Sequence, residues 1–433
     1  MTLPPGPSTP APLQTAAWVT RPGPWMLRMR REHGNVFTAS IVPDLKTVVL
    51  VAEPELIKEI FRADPEVLRA GEGNVVLRPV VGSSSLLQLD GDEHMQERKL
   101  MLPPFHGEKL KGHAELMEQI VLSEVERWAP GEELALAPQL QAVTLEIILR
   151  VVFGVREGEE VEGLRQRLQR VMDVGGRPIG TALLIARNAG LAKDFIDRDL
   201  KKLDVEIFAA IERRRTDPDL AEHDDILSML IQARREDGSP MSDRELRDEL
   251  MTLLVAGHET TATGLAWTFE RLMRNPAALD RLTAEARAGA STEYADAVVR
   301  ESLRLRPPIP LVARKVKSPY RLGEWEIPPG ATIAPAVWLT HRREDIYPDP
   351  HAFKPERFLD ASPDTYAWLP FGGGVRRCIG ASFAIMEMRI ALQAIVRTVE
   401  LRAPDARMEN MRRRAIVFAP SRGARALVAA RAA

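Results

Sequence analysis

Cys378 is the only cysteine among the 433 residues of the chain, and its neighbours could make its sulfur reactive. Three consecutive glycines precede it and suit a tight loop, because glycine loses the most backbone freedom in a helix or strand. An apolar stretch from Ala381 to about Arg397 predicts a helix, whose first amides and dipole would lower the pKa of the thiol. A lone cysteine is more often a small buried hydrophobic residue. With Arg376 and Arg377 alongside, the pattern favours a thiolate that ligates a metal or attacks an electrophile.

A second group of polar residues lies inside a long apolar segment. Ser242 and Glu245 have the spacing of a capping box, and the apolar pattern continues to about Arg274, which predicts a helix of roughly 48 Å. Its centre reads Ala-Gly-His-Glu-Thr-Thr over residues 256–261, although glycine in a helix costs about 1 kcal/mol against alanine. A metalloprotease helix would need a second histidine where Ala262 stands. A solvent-facing polar patch is the plainer alternative.

Two charged pairs have helical spacing. His94 and Arg98 are four residues apart in a helix predicted over Asp92–Met101. Glu301 and Arg304 are three apart in a helix that ends before two prolines at positions 307 and 308. The plain alternative for His94 and Arg98 is solvated surface, because Arg is mostly exposed. The plain alternative for Glu301 and Arg304 is an ordinary surface pair that contributes a few tenths of a kcal/mol. Residue types and spacing alone therefore leave both pairs without an assigned function.

The segment around the cysteine resembles the haem-binding loop of the cytochromes P-450. That loop runs from a phenylalanine through small residues and a basic residue to the cysteine, an aliphatic residue and a glycine. The matching positions here are Phe371, Gly372, Gly374, Arg376, Cys378, Ile379 and Gly380. The common nucleotide-binding loops do not fit, because Arg377 stands where a dinucleotide-binding loop needs glycine and no Lys-Ser/Thr follows.

The resemblance implies that the cofactor is haem b, with the Cys378 thiolate as the axial ligand of its iron. It also implies that Glu301 and Arg304 pair with Arg357 and support the cysteine loop. His94, where many members carry Trp, would bind a haem propionate together with Arg98. The full set of implied cofactor-binding residues is His94, Arg98, Ala256, Gly257, Arg314, Phe371, Arg376, Cys378 and Gly380.

Residues 256–261 resemble the oxygen-activating helix of the same family. There Gly257 would let the helix distort and leave a carbonyl group unpaired. The resemblance makes Glu259 and Thr260 the catalytic pair. Thr260 would hold O2 and an ordered water, and Glu259 would relay protons from bulk water.

The implied reaction inserts one oxygen atom from O2 into an apolar small molecule, such as a terpenoid, steroid, fatty acid or polyketide. The alternatives are a peroxide-driven peroxygenase, a dehydrating or isomerising haem-thiolate enzyme, and a haem sensor without catalysis. The residues expected to line the substrate are mostly aliphatic, and none is a basic anchor for a carboxylate. They are Val75, Val76, Leu86, Leu87, Ala256, Thr260, Leu311 and Val312.

Electrons would come from a separate ferredoxin or flavodoxin with its NAD(P)H reductase. The haem domain uses the whole chain, and no cysteines remain to hold an iron–sulfur cluster. An acidic partner of this kind would bind a basic surface near the cysteine. Its candidate residues are Lys99, Lys109, Lys111, Arg342, Arg343, Arg376 and Arg377.

Composition and charge narrow the class of protein further. Apolar residues make up 45% of the chain and the net charge is −2, which fits neither a disordered chain nor a nucleic-acid binder. A single cysteine fits a reducing compartment. No apolar run approaches the roughly 18 residues that cross a bilayer, and the N-terminus shows no secretory signal. We therefore expect a soluble, cytoplasmic monomer without a membrane span.

The elements that must position these residues predict a mainly α fold with small β-sheets. The resemblance implies that this is the cytochrome P-450 fold, with the haem between the long central helix and the helix after the cysteine. Residues 1–24 are rich in proline and are expected to be weakly ordered, ahead of a single haem domain at 25–433. The other predicted helices are Trp25–Gly34, Pro54–Ala63, Lys109–Trp128, Pro138–Phe153, Glu160–Asp173, Leu191–Arg215 and Asp225–Arg235. Strands are predicted in Phe37–Val51, Leu311–Val316, Tyr320–Ile327 and Thr332–Trp338, with a strand pair in Ile416–Val428.

Overall fold

The computed structural model describes residues 2–41, 45–105, 107–154, 163, 165–171, 197–359, 363–414 and 416–431. Within these residues helices dominate, and short strands form four small sheets. The predicted fold class, mainly α with small β-sheets, is confirmed.

The first part of the chain alternates short helices and strands before its first long helix. Its helices are α1 (Ala11–Thr20), α2 (Pro22–His33), α3 (Pro54–Arg62), α4 (Arg78–Val81), α5 (Gly91–Met101), α6 (Gly107–Lys111), α7 (Ala114–Val125) and α8 (Leu136–Phe153). Its strands are β1 (Val36–Ile41), β2 (Leu45–Val51), β3 (Leu68–Arg69) and β4 (Glu133–Ala135).

The second part contains the longest helices. They are α9 (Asp197–Arg215), α10 (Ile226–Gln232), α11 (Asp243–Met273), α12 (Pro276–Ala288), α13 (Glu293–Leu305), α14 (Val337–Thr340) and α15 (Ala381–Thr398). The strands are β5 (Arg314–Val316), β6 (Tyr320–Leu322), β7 (Trp325–Ile327), β8 (Thr332–Pro335), β9 (Val399–Arg402), β10 (Met411–Arg414), β11 (Val417–Pro420) and β12 (Arg425–Arg431).

Most predicted helices lie within a few residues of the observed ones. The segment predicted as one helix over Lys109–Trp128 is two helices, α6 and α7. Residues 165–171 are helical, and the remainder of the prediction Glu160–Asp173 and the start of Leu191–Arg215 fall outside the described residues, apart from residue 163.

The strands pair across long stretches of sequence. The largest sheet has the order β1-β2-β8-β5-β3, with β2 parallel to β8 and the other pairs antiparallel. The strands β6 and β7 form a hairpin of their own. The predicted pairing within Ile416–Val428 is wrong, because β11 pairs with β10 whereas β12 lies between β4 and β9.

The proline-rich N-terminal segment differs from the expectation of weak order. Prolines stand in the first turns of α1 and α2, where a helix tolerates the missing amide hydrogen. Trp18 is buried, and the backbone amide and hydroxyl of Thr38 donate to the carbonyl oxygens of Pro5 and Pro4, both at 2.8 Å. The prolines therefore start helices and cover the edge of β1.

The long helix α11 passes through the largest core and organises the site. Its capping box is present as predicted, because Ser242 and Glu245 exchange side-chain and backbone hydrogen bonds. The helix α8 packs along it.

We expected no segment that could cross a bilayer, but α8 is one described helix long and apolar enough to do so. In the structure, 61% of its residues are buried inside the protein, as in a core helix.

Candidate active site

The loop that carries Cys378, residues 371–380, packs closely against the end of α3. A Cβ atom added at Gly373 would lie 2.7 Å from the Phe61 ring, and one at Gly374 would lie 2.5 Å from the Phe61 carbonyl oxygen. Gly374 also has a φ of +64°, which side chains rarely adopt. The amide of Cys378 donates to the carbonyl oxygen of Phe371 at 2.9 Å. These contacts place Cys378 just before α15, which starts beyond Gly380.

Cys378 is exposed when its whole residue is considered, but protein atoms surround its sulfur closely. Surrounding protein raises its pKa by burial, and this effect exceeds the lowering by the Gly380 amide and by the guanidinium groups of Arg98 and Arg377. The predicted lowering of the pKa by the helix start is therefore present through the Gly380 amide, although burial outweighs it. A bound metal ion would supply the missing stabilisation of the thiolate, since a coordinating thiol is deprotonated.

Four basic residues from three elements meet beside this loop: His94 and Arg98 of α5, Arg314 of β5 and Arg376. His94 is buried, and burial together with the three arginines lowers its pKa to about 3. Arg98 donates to the carbonyl oxygen of Arg377 at 2.7 Å, which ties α5 to the cysteine loop. Burial lowers the pKa of Arg314, and that of Arg376, to about 10. We call these four residues the basic cluster.

The basic cluster carries more positive charge than its described partners neutralise. Arg376 pairs with Asp90 at 2.6 Å, whereas neither Arg98 nor Arg314 forms an ion pair with another described residue. Three guanidinium groups against one carboxylate leave two positive charges. Haem carries two propionates, so this donor set fits the cofactor, and arginine suits carboxylates because its planar fork donates two parallel hydrogen bonds.

The centre of α11 is a continuous helix rather than a broken one. The hydroxyl of Thr260 donates to the carbonyl oxygen of Ala256 at 2.6 Å. Gly257 has a packing reason for its size, because an added Cβ would lie 2.7 Å from Cδ1 of Ile148 on α8. The predicted loosening of the helix at Gly257 thus coincides with a close approach of two helices.

Glu259 lies beside Thr260 in sequence, but its contacts run to other elements. Its two carboxylate oxygens accept hydrogen bonds from the amide of Gln141 on α8, at 3.3 and 3.2 Å. Nε of Arg414, at the end of β10, lies 3.3 Å from Oε1 of the same carboxylate. Glu259 is 8% exposed, so its carboxylate is almost shielded from solvent between α8, α11 and β10.

The structure brings the predicted Glu301, Arg304 and Arg357 together. Glu301 and Arg304 are fully buried and share two hydrogen bonds, of 2.6 and 2.8 Å. Nε of Arg357 lies 3.6 Å from Oε1 of Glu301. Oε1 also accepts the backbone amide of Lys354 at 2.8 Å. This group fixes the segment that leads to the cysteine loop.

The predicted substrate-lining residues differ in burial. Leu86 is buried and Val75 is 46% exposed, while Val76 and Leu87 lie between these extremes. Leu311 and Val312 are partly buried and pack against two different hydrophobic clusters, so part of each side chain serves the core.

The predicted basic surface for a partner is smaller than expected. Arg342 is 1% exposed and donates to backbone carbonyl oxygens, so it cannot contribute to such a surface. Arg376 points into the basic cluster. Lys99 pairs with Glu236 at 2.7 Å, and Arg343 pairs with two carboxylates. The exposed members of the predicted surface are Lys99, Lys109, Lys111 and Arg377.

Three residues at the site were missed by sequence reasoning. Asp90 accepts the amides of residues 70–72 and pairs with Arg376. Its place just before α5 is a helix-cap signal, but its side chain caps no amide of that helix. Gln141 and Arg414 hold Glu259 from elements that are distant in sequence, and no local pattern marks either residue.

The thiol at a helix start, the basic cluster and the buried supports of the loop define a candidate haem-thiolate site. Comparisons with known proteins agree. The family model of cytochrome P-450 matches residues 4–425. The chain is 38% identical over 439 aligned residues to a protein of Mycobacterium tuberculosis provisionally named cytochrome P-450 135B1, covering 99% of this chain and 92% of that protein. It is 37% identical to the provisionally named cytochrome P-450 138 of the same species, covering 98% and 96%.

Solved structures show the same fold. Cyanobacterial CYP120A1 with bound retinoic acid has a TM-score of 0.81 at 23% identity and covers 98% of this chain and 99% of its own. The haem domain of cytochrome P-450DA has a TM-score of 0.80 at 22% identity, covering 96% and 95%. The chain belongs to the cytochrome P-450 family. It is accordingly a haem monooxygenase that binds iron protoporphyrin IX.

Proposed function

We propose that the protein inserts one oxygen atom from O2 into an apolar small molecule of the terpenoid, steroid, fatty acid or polyketide class. The aliphatic side chains at positions 75, 76, 86 and 87 support this substrate class, because apolar groups bind where burial removes them from water. Within the predicted lining set no residue carries a charge that would select a polar substrate.

Cys378 is proposed to hold the haem iron, with the basic cluster binding the propionates. When bound, the haem supplies the oxidising chemistry, and the protein supplies ligand, orientation and proton delivery. Arg98 donates to the backbone of the cysteine loop, and Arg376 of the loop pairs with Asp90. These two contacts hold the loop in place beside the proposed propionate sites.

Thr260 and Glu259 are proposed to deliver protons to the reacting oxygen. The observation that carries this proposal is the polar contact in mid-α11, where the Thr260 hydroxyl donates to Ala256 and Glu259 is held between Gln141 and Arg414. A carboxylate in such a site can accept a proton and pass it to a neighbouring hydroxyl or water.

Thr260→Ala tests this role, with a substrate chosen because it shifts the haem spectrum. We expect product formation to fall about 100-fold, the usual size of a general acid–base contribution, while haem content stays unchanged and reduced oxygen is released as peroxide. Thr261→Ala, one residue along the same helix, is the matched control and should keep product formation.

Unchanged product formation in Thr260→Ala would contradict the proton role. Turnover that is faster with peroxide than with an electron-transfer chain would favour the peroxygenase alternative, and a wild-type protein that forms no product would favour a sensor. Product without label from labelled O2 would indicate a dehydrating or isomerising enzyme.

We propose a ferredoxin or flavodoxin with its NAD(P)H reductase as the electron source. The exposed Arg377 next to Cys378, with Lys109 and Lys111, supports an acidic partner. Reduction by such a partner should slow as salt concentration rises, since exposed charges are screened; a rate independent of salt would contradict this docking mode.

We further propose that residues 25–433 form one haem domain in a soluble, cytoplasmic monomer. The largest core cluster contains residues from Leu100 to Val428, which supports a single domain. A chain with Cys378 as its single cysteine suits a reducing compartment. Sedimentation of a dimer, or recovery in the membrane fraction, would contradict these assignments.

A further inference from the structure

The loop between α4 and α5 is bonded to α11 by two neighbouring carboxylates. The amide of Ser84 donates to Oδ2 of Asp248 at 3.0 Å, and the amide of Leu86 donates to Oε1 of Glu249 at 2.6 Å. Asp248 and Glu249 are both fully buried. Two consecutive residues of the helix therefore hold alternate residues of the loop.

A third contact and a close approach complete the connection. Oγ1 of Thr252 lies 2.6 Å from Oγ of Ser85, and both side chains are buried. Gly82 has a φ of +89°, and a Cβ added there would lie 2.1 Å from the Asp248 side chain. The loop thus passes against α11 too closely to admit any larger residue at position 82.

Leu86 is held from both sides. Its amide donates to Glu249, and its carbonyl oxygen accepts from Nη1 of Arg376 at 3.1 Å. Arg376 belongs to the basic cluster beside the cysteine loop. Leu86 therefore connects the long helix to the proposed propionate-binding residues, and a shift at either end would move its side chain.

The side chain of Glu249 accepts its hydrogen bond from Leu86 in a buried, negatively charged setting. Its Oε2 is buried without a hydrogen-bond partner, and burial raises the pKa of its carboxyl group, with Glu97, Asp248 and Glu245 adding to the rise. Arg235 bonds Glu97 and Glu245 and not Glu249. A buried carboxyl oxygen without a partner costs stability, so the bond to Leu86 is what Glu249 contributes to the described structure.

We propose that Asp248, Glu249 and Thr252 form a loop clamp that positions Leu86 and Leu87 and thereby sets substrate selectivity. The three are positioning residues, because they act through the loop and not on the substrate. This inference rests on the proposed function, in which the loop lines the substrate pocket.

Two iron-binding probes of different size test the loop clamp in the haem-loaded protein. Imidazole and 4-phenylimidazole both bind haem iron through a ring nitrogen, and the second must also fit its phenyl group beside the lining side chains. Their dissociation constants are measured from the shift of the haem absorption band. In Glu249→Leu we expect 4-phenylimidazole to weaken about tenfold and imidazole to stay within about twofold, because one buried hydrogen bond contributes about 1.4 kcal/mol.

Glu249→Gln should restore the wild-type ratio of the two constants, because its amide oxygen still accepts from Leu86. Glu97→Gln is the matched control, because Glu97 is a buried carboxylate near Glu249 that bonds Arg235 and not the loop. The ratio of the two dissociation constants should not change in this variant. An unchanged ratio in Glu249→Leu, or equal weakening of both probes, would overturn the proposal.

Thr252→Val provides a second test if Glu249→Leu does not retain haem. It conserves volume and removes the hydroxyl contact with Ser85, so the ratio should change about two- to threefold; no change would overturn the proposal. Failure of the proposed function is read separately, from a wild-type reduced carbonyl complex without the long-wavelength band of a thiolate ligand.

Discussion

Arg304 shows why a buried charged pair at the residue scale can fix distant backbone. Besides Glu301, its guanidinium donates to the carbonyl oxygens of His341 and Pro350, both at 2.8 Å, and of Ala352 at 3.1 Å. Each donor that leaves water gains a protein partner, which is what makes burial of this charge tolerable. The pair therefore anchors the segment that leads to the cysteine loop.

Glu301→Gln should lower the free energy of unfolding by about 3–5 kcal/mol, because Arg304 would keep a buried charge without a carboxylate. Denaturant unfolding, with haem content as a second readout, measures the loss. Arg28→Ala removes one side of an exposed pair with a 3.9 Å separation and should change stability by less than about 1 kcal/mol. Equal losses in the two variants would reduce Glu301 and Arg304 to an ordinary pair.

Single residues differ in how far sequence alone can place them. Cys378, Arg376 and the glycines before them are contiguous, so a local pattern finds them. The partners of Glu259 are not local: Gln141 is 118 positions away and Arg414 lies on another strand. The lowering of the Cys378 pKa by the helix start was predictable, whereas the larger, opposite effect of burial depends on how the whole chain packs around the sulfur.

At the scale of elements, the packing of α8 on α11 gives Gly257 a second explanation. A glycine there can serve a local loosening of the helix, as the family resemblance suggested, or the close approach of Ile148, whose Cδ1 would lie 2.7 Å from an added Cβ. The two explanations predict different responses to a single methyl group.

Gly257→Ala should destabilise the protein by about 1 kcal/mol, because overpacking against Ile148 costs about 1–3 kcal/mol and exceeds the helix-propensity gain of about 1 kcal/mol. Adding Ile148→Val, which removes the colliding methyl, should recover about 1 kcal/mol in a double-mutant cycle of unfolding free energies. Gly264→Ala, whose Cβ would meet the flexible Met388 at 3.1 Å, should not couple to position 148. A stabilising Gly257→Ala would contradict the packing explanation.

Helices could be predicted from the sequence where the apolar residues recur at helical spacing and a capping signal marks the first turn. The capping box placed the start of α11 correctly, whereas the proline-rich composition at the N-terminus suggested an extended chain although its prolines begin α1 and α2. The strands β11 and β12 were found but wrongly paired with each other. Their true partners lie elsewhere in the chain, and strand pairing carries little local signal.

At the scale of the whole molecule, one polar contact joins α8, α11 and the β10–β11 hairpin. His258 is buried beside Glu259, and its Nδ1 lies 2.9 Å from the hydroxyl of Thr144 on α8. Burial, followed by the charge of Arg414 on β10, lowers the pKa of His258 from 6.5 to about 4. Three elements thus create an environment that keeps this imidazole neutral at pH 7.

Global stability should therefore fall in acid partly because of His258. Between pH 6.5 and about 4 the unfolded chain binds a proton that the folded protein does not, so this contribution is complete above pH 6.5 and is lost as the pH falls. A shift of this size corresponds to about 3 kcal/mol. His258→Asn keeps a hydrogen-bonding group near Thr144 but does not titrate. Its free energy of unfolding, measured between pH 7 and 4, should decline by about 3 kcal/mol less than that of the wild type. Parallel curves for the two proteins would show that the buried imidazole does not couple folding to pH.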